Sequence, residues 1–590
     1  MTVYNAPIQD MKFVLDELFN VEDFWKSNET TAEFSVDLAS AILEEAGKLS
    51  REVLFPLFRS GDEEGCHFQD GKVTTPQGFK EAYQKISEGG WCGLGGDPEF
   101  DGQGLPKMLV VLFEEMLFAS NNSLALYPIL SAGGAMCLSR HGSDNLKKKF
   151  LPKLYSGEWS SAMGLTEPHC GTDLGLINSK AIPNSDGSYA VTGTKIFITA
   201  GDHDMCDNII HLVLAKLPGA PDGVRGISLF LLPKFLVNDN GDLGVQNSFS
   251  AGSIEHKMGI KGSATCVMNY DSATGWLVGE ENQGLAAMFT MMNYERLSIG
   301  LQGLGSADMA YQLARDYALD RLQGRAANGA IDPSKPADAI IHHPDVRRML
   351  LFVRAIVEGG RAFGSYVAHN LDIAHYANDE HKVESAQQLI ALLIPVAKAF
   401  LSDKGLEACI QAQQVFGGHG YVREWGVEQL VRDARIAQIY EGTNGIQALD
   451  LMGRKVVRSK GVLLAPFYKD IQVFIDITTN EECAYLNALE ELLEVHKKVS
   501  DFVIGASAKD DNEIGAASVD YLHLTGYLGF AFMWARMAKV SQPKQSAPFY
   551  QAKLHTCEFF FKKMLPQAYA HSQQILSTAQ PTMAMPVGLF

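Results

Sequence analysis

The order of hydrophobic periods along the chain is what most constrains its fold. From about residue 35 to 160 the apolar residues recur at i, i+3 and i+4, as in VDLASAILEEAGKLSREVLFPL and MLVVLFEEMLFA, which is the spacing of amphipathic helices. Near residue 161 the texture changes to short runs rich in β-branched and aromatic residues, SYAVTGTKIFITA, NIIHLVLAKL and GISLFLLP, separated by Gly, Pro and Asp clusters. Such runs predict antiparallel strands in a sheet or barrel, to about residue 280. Helical spacing then resumes to about residue 450, interrupted by the loop AANGAIDPSKPADAIIHHP at residues 326–344, and the rest is mostly helical with a polar break at SAKDDNEIGAAS. The expected fold is α+β and multidomain: an N-terminal extension and helical domain over 1–160, an antiparallel β-domain over 161–280, a helical bundle over 281–450 and an extra helical C-terminal region over 451–590. It lacks the βαβ alternation of a doubly wound nucleotide-binding sheet.

A length of 590 residues, about half of them apolar with charged side chains well mixed in, describes a globular enzyme with a large core. The formal net charge of −19 opposes nucleic acid and anionic lipid. Nine scattered cysteines with no C-x-x-C pair are read as reduced thiols of a cytoplasmic protein. MTVYNAPIQDMKF is not a signal peptide, and the most apolar run, Leu389 to Ala397, is too short for a membrane span.

Familiar catalytic signatures are missing: there is no G-x-x-x-x-G-K-[ST], H-E-x-x-H or G-x-S-x-G. The glycine-rich GLQGLG and GGHG do not complete a dinucleotide fingerprint. His369, His375 and His381 recur every six residues, which does not bring them to one helical face, and no metal is expected. Three other segments can carry chemistry. MGLTEPHCGTDLG, residues 163–175, forms a turn in which Thr166, Gly171, Thr172 and Asp173 offer hydroxyls and backbone N–H groups. In TGTKIFITAG, Phe197 and Thr199 are two apart on a strand and share a face. In QVFGGHGYVREWGVEQLVRDARIAQIYEGTNGIQALDLMGR, Gly417, Gly418 and Gly420 permit close backbone approach, and Glu441 follows Ile439 and Tyr440. A carboxylate among apolar neighbours can serve as a general base near neutral pH. Each segment alone reads more readily as ordinary structure.

Together, in order and in spacing, LTEPHCGTD, TGTKIFIT, HKMGIKGSAT, LVGEENQGL, YALDRLQGR, QVFGGHGY, RDARIAQIYEGTN and IQAL resemble the acyl-CoA dehydrogenase family over roughly residues 80 to 450. YNAPIQDMKFVLDEL, the long loop after Arg325 and the extra C-terminal region resemble its long branch, which includes enzymes acting on 3-methylthiopropanoyl-CoA (also called 3-methylmercaptopropionyl-CoA) as well as fatty acyl-CoA dehydrogenases.

The resemblance implies an FAD enzyme that converts an acyl-CoA to the trans-2-enoyl-CoA in β-oxidation. Glu441 is the implied base for the α-proton, and flavin N5 the hydride acceptor. Met163, Leu165, Thr166, Gly171, Thr172, Phe197 and Thr199 are implied FAD contacts from the β-domain. Arg321, Gln414, Gly417 and Gly418 match the part of the site that meets the FAD of a neighbouring subunit, so a homodimer at least is implied. Thr443 and Asn444 match the E-G-T segment that meets the cofactor. Thr172, Tyr294, Arg296, Tyr440 and Gly442 are the implied thioester contacts, and an electron-transfer flavoprotein is the implied re-oxidant. Two departures stand out. Some members carry the base just before an arginine on an earlier helix, where this chain has Glu295; the chain has both carboxylates, and Glu441 is favoured, with Glu295 pairing with Arg296 or lining the cavity. The arginine segment reads RLQGR rather than R-x-x-F-G, so its aromatic flavin contact is absent. Met291 and Met292 are either lining or core. An aliphatic acyl-CoA is the first choice of substrate and 3-methylthiopropanoyl-CoA the second. An acyl-CoA oxidase shares these motifs but would yield peroxide, and a non-catalytic DNA-associated relative fits poorly with the acidic charge. Residues 451–590 are expected to cap the dimer or replace the contacts of a second one.

Overall fold

The computed structural model describes residues 3–590. They form two compact units, one built from Lys48–Pro106 and Ser120–Ser298, the other from the residues up to Gly47, Lys107–Ala119 and Ile299–Phe590. One helix, Gly284–Asp320, gives its first turns to the first unit and the rest to the second.

The first unit is organised by strands. A small hairpin, β1 (His67–Gln69) and β2 (Lys72–Thr74), precedes β3 (Trp159–Gly164), β4 (Lys180–Pro183), β5 (Tyr189–Thr199), β6 (Asn208–Lys216) and β7 (Ile227–Pro233). A second hairpin of β8 (Phe235–Val237) and β9 (Leu243–Gln246) leads to β10 (Phe249–Ile254) and β11 (Thr265–Leu277). The main sheet has seven strands in the order β10-β11-β5-β4-β6-β3, and β7 pairs with both β11 and β6. The pairings therefore return on themselves through β11, β5, β4, β6 and β7, a closure that leaves few open edges. Most pairs are antiparallel; β3 runs parallel to β6, with Met163 opposite Leu212, and β4 meets β6 in parallel at a single pair. The largely apolar strings NIIHLVLAK and ISLFLLP are buried almost throughout because they are covered on both faces.

His211 of β6 sits inside this layer between the Tyr270 hydroxyl (2.8 Å) and the Gly201 carbonyl (2.8 Å). Burial pushes its pKa down to about 3, so it stays neutral in the fold. The unfolded chain takes up a proton there below about pH 6.5 that the native state refuses. This histidine's share of stability is thus intact above that pH and is lost as pH falls toward 3, by about 1 kcal/mol per unit. The stability gap between the native protein and His211→Gln, measured by denaturant unfolding, is expected to narrow steadily from pH 7 to pH 5; a pH-independent gap would contradict this.

The second unit is helical. Pro344–Tyr376 and Glu380–Val415 form a long hairpin, and Asn512–Ser541, mostly buried from Tyr521 onward, lies among that hairpin, Asn444–Leu449 and the late helices Leu486–Ser507, Pro548–Phe559 and Pro566–Leu576. Residues after 451 thus complete this unit's core. The GLQGLG glycines explain themselves as packing. A Cβ on Gly300 would come within 2.6 Å of the Ala397 carbonyl oxygen, and one on Gly303 within 2.8 Å of the Leu401 carbonyl oxygen. One on Gly305 would come within 2.6 Å of the Glu115 carbonyl oxygen. This glycine-rich run, which does not complete a dinucleotide fingerprint, is a helix–helix seam.

Buried charge ties the termini into this unit. Arg361, on Pro344–Tyr376, forks onto Glu115 (2.5 and 3.1 Å) and also pairs with Asp10 of the N-terminal segment. Lys553, on Pro548–Phe559, pairs with Asp10 and with Glu358 (2.7 Å). Burial alone would raise the Asp10 carboxyl, but Lys553 and Arg361 together hold it below its ordinary range. Asp372 accepts the Lys107 and Met108 amides (2.6 and 3.0 Å), satisfying donors at the start of Lys107–Ser120.

Candidate active site

In the first unit, β3 runs directly into the L-T-E-P-H-C-G-T turn, which is anchored from below. Glu167 is buried and its carboxylate accepts from Lys195 (2.9 Å), from the Ser179 hydroxyl (2.6 Å) and from the Asn178 and Ser179 amides. Lys195, fully buried on β5, also donates to the Leu165 carbonyl (3.0 Å), and the Ile196 amide donates to the Thr166 carbonyl (2.9 Å). Burial raises the Glu167 carboxyl, yet Lys195 and its other donors bring it below its usual range; burial lowers the Lys195 ammonium. The turn and the end of β5 are therefore one rigid piece. On it Thr166 and Met163 are half-buried, Leu165 is buried, and Gly171 and Thr172 are exposed. Thr199 is half-buried at the end of β5, opposite Thr265. Phe197 is 60% exposed and takes φ 59, a left-handed conformation that costs a non-glycine residue. An exposed aromatic ring held in a strained backbone on a pinned strand is poor for folding alone.

Also in this unit, Tyr294 is half-buried, and Glu295 and Arg296 are buried on Gly284–Asp320. A Cβ on Gly133 would come within 2.5 Å of Glu295 Oε1, so the glycine makes room for that carboxylate. Arg296 donates to Asn293 (3.1 Å) and lies over the Phe289 ring. Met291 and Met292 are both buried.

In the second unit the Y-E-G-T-N loop joins two short helical segments. Glu441 has φ 56, again left-handed for a non-glycine, and Gly442 follows at φ 80. Its neighbours leave this loop little freedom. Gln447 Nε2 donates to the Glu441 carbonyl (3.0 Å), and Lys398, fully buried on Glu380–Val415, donates to the Gly442 carbonyl (2.9 Å) and to Asn444 Oδ1 (2.8 Å). Thr443 caps the Asn444–Leu449 helix by accepting the Ile446 amide (3.3 Å). Asn444 turns its amide inward, donating to Asp403 (2.6 Å), Ser402 (3.0 Å) and the Ala399 carbonyl (3.2 Å). The Tyr440 hydroxyl donates to Gln302 (2.5 Å). Glu441 itself is half-buried. The carbonyls of Glu441 and Gly442 are thus both held by buried donors, so the carboxylate springs from a fixed backbone.

The G-G-H-G turn is braced in the same unit by aromatic rings. Tyr317 stacks on Phe416 (4.2 Å between centroids) and its hydroxyl meets His419 Nδ1 (3.0 Å), while His419 stacks on Trp425 (4.5 Å). Gln414, Gly417 and Gly418 stay exposed, and a Cβ on either glycine would meet nothing within 4 Å. Arg321, one helical turn beyond Tyr317, is exposed, with Gln323 as a distant partner at 3.5 Å. The structure thus brings the helix end that bears Arg321 against the Gln414–Gly420 turn, and leaves both facing outward. The loop after Arg325 is ordered around one residue: buried Asp338 accepts from Arg325 (3.3 Å) and from the Ala326 and Ile331 amides.

Sequence reasoning passed over Glu167, Lys195, Lys398, Asp338 and Asp403. A lysine in a strand and another inside an apolar helical run were available signals, since each requires a partner when buried.

Four family models match the chain: Acyl-CoA dehydrogenase, N-terminal domain over residues 38–158; Acyl-CoA dehydrogenase, middle domain over 162–273; Acyl-CoA dehydrogenase, C-terminal domain over 282–456; and Acetyl-CoA dehydrogenase C-terminal like over 467–586. A 3-methylmercaptopropionyl-CoA dehydrogenase of Ruegeria pomeroyi is 40% identical over 98% of both chains. A butyryl-CoA dehydrogenase of Syntrophomonas wolfei is 33% identical over 96% of both. The fold is shared with an acyl-CoA dehydrogenase from Bacillus anthracis solved in complex with FAD, at a TM-score of 0.74 and 20% identity, covering 98% of this chain and 91% of that one. The helical, sheet and helical order and these matches along its length show that this chain belongs to the acyl-CoA dehydrogenase family and is an oxidoreductase.

Proposed function

We propose that this protein dehydrogenates a short, unbranched acyl-CoA between the α- and β-carbons, with Glu441 as the base that takes the α-proton. The observation that carries this reading is the pinned loop: buried Gln447 and Lys398 hold the two successive carbonyls of Glu441 and Gly442, so the carboxylate is presented from a backbone fixed at and just after its own residue. A base must sit within hydrogen-bond reach of the proton it removes, and small displacements are costly. Tyr440 and Gly442 flank the thioester's reacting end, and hydrogen bonds to its carbonyl stabilise the charge that develops as the α-proton leaves.

The residues present fit FAD. Phe197 offers a bare ring face from left-handed backbone, Thr166 and Thr199 offer hydroxyls from a rigid strand and turn, and Gly171 and Thr172 are open to a ligand. Bound there, FAD supplies the two-electron acceptor for the hydrogen that leaves the β-carbon. Arg321, Gln414, Gly417 and Gly418 are exposed where a second copy's cofactor would be met, so the working form is a homodimer at least; a guanidinium suits a pyrophosphate by its fork of donors. An electron-transfer flavoprotein re-oxidises the enzyme in β-oxidation or in the breakdown of a sulfur-containing acid, in the cytoplasm. Among the described residues no helix is long and apolar enough to cross a membrane.

The ring of Phe197 is held for the cofactor and not for the fold. Phe197→Gly relieves a left-handed strain of about 1–2 kcal/mol and gives back a similar amount in chain entropy. Apoprotein stability is therefore expected to change by no more than about 1 kcal/mol, while FAD dissociates markedly more readily on gel filtration. Unaltered FAD retention would contradict the assignment.

Two relatives are named for short acyl groups and a third for broad specificity toward linear acyl-CoAs, and sulfur fills nearly the volume of a methylene, which makes 3-methylthiopropanoyl-CoA and butyryl-CoA the pair to test first. Steady-state assays with an artificial acceptor test this. The short thioesters should exceed octanoyl-CoA in kcat/KM by at least about tenfold, with the 2-enoyl-CoA as product and no stoichiometric peroxide. Preference for octanoyl-CoA would overturn the short-chain reading, and stoichiometric peroxide would make the protein an oxidase.

A further inference from the structure

The C-terminal region reaches the Glu441 loop through polar side chains, and apolar packing alone does not require that. His523, on Asn512–Ser541, places Nε2 3.1 Å from Asp403 Oδ2. Asp403 Oδ1 in turn accepts from Asn444 (2.6 Å) and from Gln438 (2.8 Å), residues on either side of Glu441 in sequence. Asn444 Oδ1 accepts from Lys398, which also holds the Gly442 carbonyl. A continuous chain of hydrogen bonds thus runs from His523 through Asp403, Asn444 and Lys398 to the carbonyl of Gly442, the residue after Glu441.

The imidazole at its far end is itself fixed on several sides. His571 stacks on it (5.1 Å, 19° between planes) and is anchored by Asp520 (2.9 Å), and Phe400 meets it edge-on (5.7 Å). Lys404, one turn after Phe400, lies over the Tyr527 ring one turn after His523 (5.2 Å), so the two helices are locked in register along this face. A carboxylate with donors on both oxygens cannot rotate without breaking one of them. Removing the His523 donor leaves Asp403 held through Oδ1 alone, by Asn444 and Gln438, and loosens the orientation it imposes on the Asn444 amide.

We infer that His523 is a positioning residue for the base: the C-terminal region contributes it to hold the Asp403–Asn444–Lys398 relay, and through that relay the Glu441 loop. The inference rests on the proposal that Glu441 removes the α-proton. It gives the region after residue 451 a part in the reaction, as well as in the core.

The test uses full-length holoenzyme and the rate of flavin reduction by 3-methylthiopropanoyl-CoA and by butyryl-CoA in single turnovers, with KM and FAD content measured alongside. His523→Gln keeps a donor near the Nε2 position; His523→Leu keeps the volume and removes the donor. The expected result is a near-native rate for His523→Gln and a loss of about 100-fold for His523→Leu, with KM and FAD content little changed in both. A purely structural residue would move stability and leave the rate of the folded holoenzyme alone. Equal rates for His523→Leu and the native enzyme, or equal losses for the leucine and glutamine variants, would overturn the inference. Should His523→Leu not accumulate as holoenzyme, Asp403→Asn tests the same relay: the same loss supports it, and a native rate overturns it. Glu441→Gln is run beside these. A native rate in that variant means that the assigned base is wrong, whereas an inactive Glu441→Gln with a native-like His523→Leu means that the relay alone is wrong.

Discussion

Glu441→Gln is expected to lower the rate of substrate-dependent flavin reduction by on the order of 10²–10⁴-fold, the usual worth of a positioned general base, while leaving folding, FAD content and thioester binding close to native. The amide keeps the side chain's length and its left-handed backbone at φ 56. It also keeps the Gln447 and Lys398 bonds, because these go to main-chain carbonyls and not to the side chain. Glu295→Gln separates the two candidate bases. That carboxylate is buried beside Gly133 on a different helix, and its amide is expected to retain most of the activity. Stopped-flow reduction of the two purified variants decides between them: loss in Glu295→Gln with activity in Glu441→Gln would reverse the assignment.

The largest effect on stability is expected from Arg361→Met. The side chain is nearly fully buried, and its loss leaves Glu115 without its fork of donors and Asp10 with Lys553 alone. Stranding a buried charge in this way costs about 3–5 kcal/mol, far more than the methionine recovers by packing. Because the cluster joins the N-terminal segment, the Lys107–Ser120 helix, Pro344–Tyr376 and Pro548–Phe559, the loss should appear as a lowered denaturant midpoint for the helical unit as a whole. Replacing the partners together with the arginine, as in the triple variant Asp10→Asn, Glu115→Gln, Arg361→Met, should recover much of it. A single variant as stable as the native protein would show that the cluster is not the clamp described.

The helical and strand textures were legible because each element obeys its own period: NIIHLVLAK and ISLFLLP read as strands and are strands, and the changes near residues 161 and 280 fall close to the start of β3 at Trp159 and the end of β11 at Leu277. The family motifs, too, stand in the sequence as contiguous strings. What the sequence concealed is what depends on distant pairs. Lys195 reads as one more polar residue in an alternating strand, and only the fold brings Glu167 beneath it, 28 residues away. Lys398 interrupts an apolar run, and its partners Gly442 and Asn444 lie more than forty residues on. GLQGLG does not complete a dinucleotide fingerprint, but its helix-packing role stayed hidden because close backbone approach uses glycine whether the neighbour is a nucleotide or another helix. Asn444 stands in a motif that meets the cofactor in the family, yet its amide is committed to Asp403, Ser402 and Lys398, a commitment that sequence spacing alone does not reveal.

The most direct test of the account is anaerobic titration of the purified yellow protein with 3-methylthiopropanoyl-CoA, butyryl-CoA and longer acyl-CoAs, following the loss of flavin colour. The account predicts that short thioesters bleach the flavin, that Glu441→Gln abolishes the bleaching and that Glu295→Gln does not. Bound FAD that no thioester bleaches would contradict it, and would mean that this fold serves another reaction.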